Sequence, residues 1–315
     1  DALQLNVRRH FDNSAGTIAT NGALQLNAGS LNNSDGTLQA AGTDATDMRI
    51  AGTLDNTRGT LATAGATTIL SGGLINAGGL VQAASDSTLT LDSSGNLDNA
   101  DGTIVANGAI DLSAQSLSNA GGVVQTQQGL AANVVGTLDN SGGLMVASGD
   151  LTATAGTLVN RDTSIPGATD PSGLFGQRVT LRADTLDNSR GQIVANDALT
   201  VRGHTRAGTA LTNAGGVLDG VGTTAVTATL FDNTGGQLVQ RGADGTLALD
   251  VSGALVNANG SIGAEGRGSV HAGLLDNSAG TVFGQQNLTL ASDGDLRNVA
   301  RQLQSSGDLT VNAGG

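Results

Sequence analysis

A three-residue motif, Leu or Phe followed by any residue and then Asn, recurs fourteen times in this chain of 315 residues. The gaps between successive copies of its Asn are 20, 23, 20, 23, 20, 21, 20, 28, 25, 20, 24, 20 and 21 residues. Self-similarity at a period of about 22 residues indicates supersecondary units stacked end to end, each contacting only its neighbours. We therefore predict a solenoid, a fold suited to spanning distance and presenting surface. The repeated residues are Asn13, Asn33, Asn56, Asn76, Asn99, Asn119, Asn140, Asn160, Asn188, Asn213, Asn233, Asn257, Asn277 and Asn298.

Each repeat contains three short runs separated by Gly, Asn and Ser, as residues 138–157 illustrate. Apolar and polar residues alternate within the runs, for example at 23–27, 88–91 and 179–182, which is the period of a β-strand with one inward face. A repeat of this length leaves no room for a crossover helix, so parallel pairing has to come from coiling of the chain.

The predicted fold is all-β: a right-handed parallel β-helix with three short strands per turn and about 14–15 turns, formed by residues 1–315 as a single repeat array. The right-handed sense is taken from the general preference of parallel connections. At a strand spacing of ~4.8 Å, such an array would be on the order of 70 Å long.

The repeated Asn has a structural explanation. Two residues after an inward Leu or Phe, it is expected on the inner side of a corner, where Asn tolerates left-handed backbone geometry. Its amide could then bond to the amides of the turns above and below, which would satisfy a polar corner in every turn. We predict a structural ladder formed by all fourteen asparagines.

The residue just before each Asn is Asp on every other turn. Carboxylates on adjacent turns would lie ~4.8 Å apart and repel by roughly 1 kcal/mol in water, whereas skipping a turn brings the distance to about one Debye length. Avoidance of like charges or duplication of a two-turn unit explains the alternation. Bound calcium is the alternative, but lone carboxylates lack the roughly six to eight oxygens that it needs, so no metal site is predicted. These residues are Asp12, Asp55, Asp98, Asp139, Asp187, Asp232 and Asp276.

Charge and composition exclude several classes of partner. The net charge of -13 argues against nucleic acid or an anionic membrane. No apolar stretch approaches the ~20 residues of a membrane span, and no signal peptide opens the chain. Both ends fall within a repeat and lack a polar capping unit, so we interpret the chain as a segment of a longer protein.

The run Leu-Asp-Asn-Ser-Gly-Gly-Leu at 138–144, followed by Leu-Thr-x-x-Ala-Gly-x-Leu at 151–158, resembles the haemagglutinin repeats of filamentous haemagglutinins and contact-dependent growth inhibition exoproteins. The resemblance covers nearly the whole chain. It implies a secreted β-helical filament on the surface of a Gram-negative bacterium, exported by an outer-membrane two-partner transporter. It also implies a role in adhesion or in contact-dependent toxin delivery, with a target-cell receptor as the further partner. Neither a secretion-domain motif nor a toxin domain is visible, so the resemblance implies the shaft.

The largest gap, of 28 residues, contains residues 161–177 with both prolines of the chain. Insertions in a repeat array become loops on one face, so we predict an inserted loop here. Either it is a tolerated surface insertion or it is a recognition loop, since binding residues are often carried on loops. The candidate binding residues are Arg161, Asp162, Asp170 and Phe175.

Catalysis is the alternative function, because some carbohydrate-cleaving enzymes are also parallel β-helices. Aspartates two turns apart fall near the roughly 6.5–9.5 Å of an inverting glycosidase pair, but the spacing recurs along the chain and singles out no site. The chain has no Trp or Tyr to stack on sugars. His10, His204 and His271 are several turns apart, without a nucleophile motif nearby. We predict no catalytic residues and no cofactor.

Overall fold

The computed structural model describes residues 2–164 and 171–314. Over these residues the chain forms strands and turns and contains no helix. Each strand pairs in parallel with its equivalent one turn further on, so the predicted all-β parallel solenoid is confirmed. The right-handed sense of the coil stays a prediction. The array divides into two compact units, Asp1–Ala153 and Thr154–Gly315, and strand β18 (Leu151–Val159) contains the boundary.

In the first unit, three strands build each turn where the corners separate them fully. Elsewhere two of the three run together as one longer strand, bent at a register shift such as the one between Ile50 and Thr53. The strands are β1 (Leu3–Asp12), β2 (Thr17–Thr20), β3 (Leu24–Asn32), β4 (Thr37–Ala40), β5 (Thr46–Asp55), β6 (Thr60–Thr63), β7 (Thr67–Ile75), β8 (Leu80–Ala83), β9 (Leu89–Ser93), β10 (Asn96–Asp98), β11 (Thr103–Ala106), β12 (Ile110–Ala114), β13 (Ser116–Ser118), β14 (Val123–Thr126), β15 (Leu130–Val134), β16 (Thr137–Asp139) and β17 (Leu144–Ala147).

The second unit follows the same plan, with longer bent strands between shorter ones. The strands are β19 (Gly173–Asp187), β20 (Gln192–Arg202), β21 (Ala210–Thr212), β22 (Val217–Gly220), β23 (Thr223–Ala228), β24 (Leu230–Asp232), β25 (Gln237–Gln240), β26 (Thr246–Val256), β27 (Ser261–Ala264), β28 (Arg267–Asp276), β29 (Thr281–Gly284), β30 (Leu288–Ser292), β31 (Leu296–Arg297), β32 (Leu303–Ser305) and β33 (Leu309–Ala313).

The core of each unit consists of inward side chains stacked in rows, one row for each strand of the turn. Because side chains alternate between the two faces of a strand, every second residue enters the core. In the first unit one row places Leu54 beside Leu74 and Leu74 beside Leu97, all at most 1 % exposed. The equivalent row of the second unit places Leu211 beside Phe231. Truncating such a buried Leu to Ala typically costs about 2–5 kcal/mol, so each turn depends on its neighbours for stability.

None of the described residues belongs to a helix long and apolar enough to cross a membrane.

Candidate functional site

The most regular polar feature of each unit is a chain of hydrogen bonds between the repeated asparagines. Within each unit the Nδ2 of one Asn donates to the Oδ1 of the Asn on the next turn, and six such bonds in the first unit, from Asn13 to Asn140, measure 2.7 Å. The six bonds from Asn160 to Asn298 in the second unit also measure 2.7 Å. Aligned amides polarise one another, and their burial makes each bond costly to lose.

The ladder Asn also fixes the corner of its own turn. Asn119, for example, donates from Nδ2 to the carbonyl of Gly122 at 3.2 Å and to that of Leu144 on the next turn at 3.1 Å. Asn119 and Asn140 are fully buried. These amides therefore face the interior and are not available to a ligand.

A Gly three residues after the Asn makes room for this arrangement. A Cβ on Gly143 would lie 2.1 Å from the backbone oxygen of Asn119 and 2.8 Å from the Oδ1 of Asn140. The same position is Gly in twelve of the fourteen repeats, and the exceptions are Thr163 and Arg301. Close packing of the corner against the previous turn thus explains the repeated Gly.

The expectation that the Asn itself adopts the left-handed conformation is wrong. The left-handed residue is the one two positions after the Asn in all fourteen corners, with φ between 50° and 64°. It is Gly in five corners and another residue in nine, among them Arg58 and Arg190. The physical reason is that the Asn side chain points into the core as a strand residue would, while the chain turns the corner two residues later.

The Asp that precedes every second Asn caps the corner. Asp139 accepts hydrogen bonds at Oδ1 from the backbone N–H of Ser141 at 2.9 Å and from its hydroxyl at 2.6 Å. The other aspartates of the alternation accept the same backbone bond, as does Asn32. This is the local side-chain bond by which Asp stabilises a turn. The carboxylates therefore have a structural role that neither charge avoidance nor duplication alone would give them.

Capping holds several of these carboxyl groups in the ionised form. The hydrogen bonds from Ser278 lower the pKa of Asp276, and those from Ser14 lower the pKa of Asp12. Burial raises the pKa of Asp187, but the bonds from Ser189 and the nearby Arg161 outweigh it, so this pKa is also lowered. A general acid needs the opposite shift, because it must hold its proton near neutral pH. These three aspartates are therefore poorly suited to acid catalysis.

The predicted binding residues around the insertion do not converge on a site. Arg161 donates from Nε to Oδ2 of Asp187 at 2.7 Å, and Asp162 accepts from Nε of Arg190 at 2.7 Å. Both belong to the ordinary corner that follows Asn160. Asp170 lies outside the described residues.

Phe175 is half-buried in strand β19, where it pairs with Val194. Residues 173–177 are thus part of a strand, and the predicted loop boundaries differ from the structure at both ends. The reason is that the repeat pattern resumes earlier than the spacing of the asparagines suggests.

Two of the three histidines bond to side chains of an adjacent turn. The ring of His10 lies 2.9 Å from the Ser30 hydroxyl. His271 is held between Asp250, 2.8 Å from Nδ1, and Asp293, 3.1 Å from Nε2. These hydrogen bonds, first that to Asp250 and then that to Asp293, raise the pKa of His271. Within the described parts of the chain, no three His, Asp or Glu residues form a group that could hold a metal ion.

A groove that the sequence did not reveal lies on the outside of the first unit, where the long strands bend. Its volume is about 640 Å³, and Arg8, Arg49, Asn6 and Asn27 contribute polar side chains to its walls. Its floor is the bent backbone around Gly29. The two arginines make the groove suited to an anionic group. The sequence did not reveal it because the strands bend at register shifts, which leave no mark in the repeat motif.

Fold and site together define a structural β-solenoid whose repeated polar residues hold the turns to one another. The family model for the haemagglutinin repeat matches the chain five times, over residues 2–48, 43–101, 101–170, 176–259 and 242–315. The chain belongs to the haemagglutinin repeat family, as its motifs predicted. This is a structural and adhesin family. No curated protein and no solved structure matches the chain.

Proposed function

We propose that this chain is a shaft segment of a secreted cell-surface filament used for adhesion or for contact-dependent toxin delivery to neighbouring bacteria. The proposal rests on where the repeated polar side chains form their hydrogen bonds. The Asn ladder and the Asp caps, which account for most of the sequence motif, bond within the solenoid instead of facing a ligand. Stacking of the turns thus accounts for the repeated motif.

In this proposal the shaft acts by extending the filament away from the cell surface. Every additional turn advances a parallel solenoid by ~4.8 Å at the cost of about 22 residues. Export through an outer-membrane two-partner transporter agrees with the family, and a chain without cysteines needs no disulfide formed before it folds outside the cell. Because each turn templates the next, folding can propagate from the first turn to emerge.

Non-enzymatic function is part of the proposal. The aspartates that recur at the spacing of a glycosidase pair are turn caps, and the lowered pKa values of Asp12, Asp187 and Asp276 disfavour proton donation by these three. The corner asparagines are buried. Neither set presents chemistry to a substrate.

The test is an in-frame deletion of whole turns in the full-length protein displayed on cells. Removing residues 33–139 joins Asn32 to Asn140, so the corner motif stays intact while reach falls by five turns, or ~24 Å. The expected result is export at normal level with reduced contact-dependent adhesion or delivery. The matched control removes residues 33–129, which breaks the phase of the repeat and should block folding and display. Undiminished contact function in displayed protein that lacks the five turns would contradict a role in reach.

A further inference from the structure

The second unit carries an apolar patch on its outer surface. Leu230 and Leu274 are 53 % and 52 % exposed. They lie two turns apart on the same outward row, with Ala254 on the turn between them. Exposed apolar side chains that lie together on an otherwise polar surface mark a contact with another molecule.

Two outward rows make up this face, and both can be followed turn by turn through the strand pairings. We call them the leucine row and the aspartate row. The leucine row is Thr185, Ala210, Leu230, Ala254, Leu274 and Asp295. The aspartate row, two residues later on each strand, is Asp187, Thr212, Asp232, Val256, Asp276 and Arg297.

The middle of the leucine row alternates small and large side chains. Ala210 precedes Leu230, and Ala254 precedes Leu274, so each Leu rises beside a hollow. The hollow around Leu230, over Ala210, Ala254 and Val256, has a volume of about 310 Å³. A ridge and a hollow that alternate at one turn each form a surface that can interlock with a copy of itself.

Reversing the row produces its complement, because Ala-Leu-Ala-Leu read backwards is Leu-Ala-Leu-Ala. We propose that this face docks a second copy of the chain, packed face to face with its solenoid direction reversed. Around a two-fold axis between Leu230 and Ala254, Leu230 enters the hollow at the partner copy's Ala254. Leu274 likewise enters the hollow at Ala210. This is an isologous contact, in which one patch serves both copies.

The aspartate row is compatible with the same axis. Reversal places Asp232 opposite Val256 and Asp276 opposite Thr212, so no carboxylate of the row faces another. At the ends of the face, Arg297 lies opposite Asp187, which is already bonded to Arg161 within its own chain. The charges are thus compatible with the reversed arrangement and contribute little to its strength, as expected for exposed ion pairs.

The other face-to-face two-fold arrangement keeps the solenoid direction and reverses the strands instead. It sets the leucine row of one copy against the aspartate row of the other, so that Leu230 faces Asp232. Each Leu then meets the aspartate row instead of an Ala hollow, so the leucine row no longer interlocks with a copy of itself. The pattern of the two rows therefore selects one orientation.

The equivalent outward row of the first unit does not have this character. It reads His10, Ser30, Thr53, Gly73, Asn96 and Ser116 along successive turns. Those residues offer no large apolar side chain. The proposed contact is thus specific to the second unit.

The area sets the strength of the contact. Six turns of ~4.8 Å by a strand segment of about 10 Å give roughly 300 Å² per copy, below what stable dimers bury. We expect association that is weak and reversible. Because each copy carries a net charge of -13, salt should strengthen the association by screening repulsion.

Sedimentation equilibrium of the purified chain from roughly 20 µM to 1 mM tests the proposal. The wild type should fit a monomer–dimer equilibrium that shifts towards dimer at high salt. Leu230→Ser together with Leu274→Ser should weaken it at least about tenfold, while Val135→Ser, at a 68 % exposed residue of the first unit, should leave it unchanged. A wild type that stays monomeric at about 1 mM, or association that survives the double substitution, would overturn the proposal.

Orientation is tested separately by cross-linking. The chain has no native cysteine, so Thr185→Cys and Asp295→Cys, at the two ends of the leucine row, each introduce a single thiol. The reversed packing places residue 185 opposite residue 295 of the other copy, whereas like residues of the two copies lie five turns, or ~24 Å, apart. A short bismaleimide should therefore link a mixture of the two variants faster than either variant alone. Faster linkage within either single variant would reject this orientation.

Discussion

Two adjacent glycines in one corner meet different demands of the fold, a left-handed backbone and the close approach of two turns. Gly142 is left-handed, with φ of 63°, and a Cβ added there would meet nothing within 4 Å. A Cβ on Gly143 would instead lie 2.1 Å from the Asn119 oxygen and 2.8 Å from the Asn140 Oδ1. Gly142→Ala therefore tests backbone conformation alone, and Gly143→Ala tests the close approach of turns.

The expected magnitudes differ. Gly142→Ala adds the left-handed penalty of an L-residue, about 1 kcal/mol after the gain from a less flexible unfolded chain. Gly143→Ala forces the corner away from the previous turn, which costs about 1–3 kcal/mol for overpacking. It also breaks the 2.7 Å bond between Asn119 and Asn140 and leaves buried amide groups unpaired, at about 1–3 kcal/mol. We expect a total of about 2–6 kcal/mol.

The assay is urea unfolding followed by far-UV circular dichroism, since the chain has no Trp or Tyr for fluorescence. Midpoints are compared where the slopes agree, because long repeat arrays can lose two-state behaviour. The reasoning predicts that Gly143→Ala lowers the midpoint at least twice as much as Gly142→Ala. Equal effects, or a larger effect at Gly142, would refute the steric account of the corner.

Three further predictions concern the ladder and the titrating groups. Asn140→Ala should lower the melting temperature by removing a buried amide bond, whereas Asn133→Ala, at an exposed outward position, should not; equal melting would contradict the ladder. The pKa of Asp276 is lower in the folded state, so the stabilisation from its carboxylate is present above the unfolded pKa near 3.9 and is lost as pH falls through the folded pKa. The melting temperature of Asp276→Asn should therefore fall less than that of the wild type between about pH 5 and 3. The pKa of His271 is higher in the folded state, so the stabilisation from its charged ring is complete below the unfolded pKa near 6.5 and disappears as pH rises through the folded pKa. His271→Asn should therefore lower the melting temperature at about pH 5.5 and have little effect at about pH 8.5. An equal effect at both pH values would contradict a stabilising role for the charged ring.

The sequence predicts the fold because every turn repeats the same local residue pattern. Leu138 followed two residues later by Asn140 places one apolar and one amide side chain on the inward face, and the period aligns each with its equivalent. Fourteen repetitions average out the ambiguity of any one short run. The inward rows and the family therefore follow directly from the motif.

The left-handed corner residue was harder to predict, because its usual signal is Gly and nine of the fourteen are other residues. Arg58 holds this conformation and also pairs with Asp35 on the previous turn, at 2.7 Å. The Asp cap did leave a signal, since seven of the eight capped corners have Ser or Thr two residues after the capping residue, as at Ser141, whereas four of the six corners without the cap have Ala at that position, as at Ala77. Reading the two positions together would have identified the hydrogen bond.

The groove and the self-complementary face could not be predicted in the same way. Both depend on residues that point outward, which the repeat does not constrain. Leu230 and Leu274 became informative only when the strand pairing placed them two turns apart on one face. Register accumulates through turns of unequal length, and the 28-residue gap shows that spacing alone can misplace a strand by several residues.

The most direct test of the proposed shaft function is binding of the purified, labelled chain to target cells, beside a variant that lacks residues 163–172. The account predicts no saturable binding for either protein, because recognition would belong to other parts of the filament. Saturable binding by the intact chain that disappears with the deletion would contradict it, and would make the insertion a recognition site.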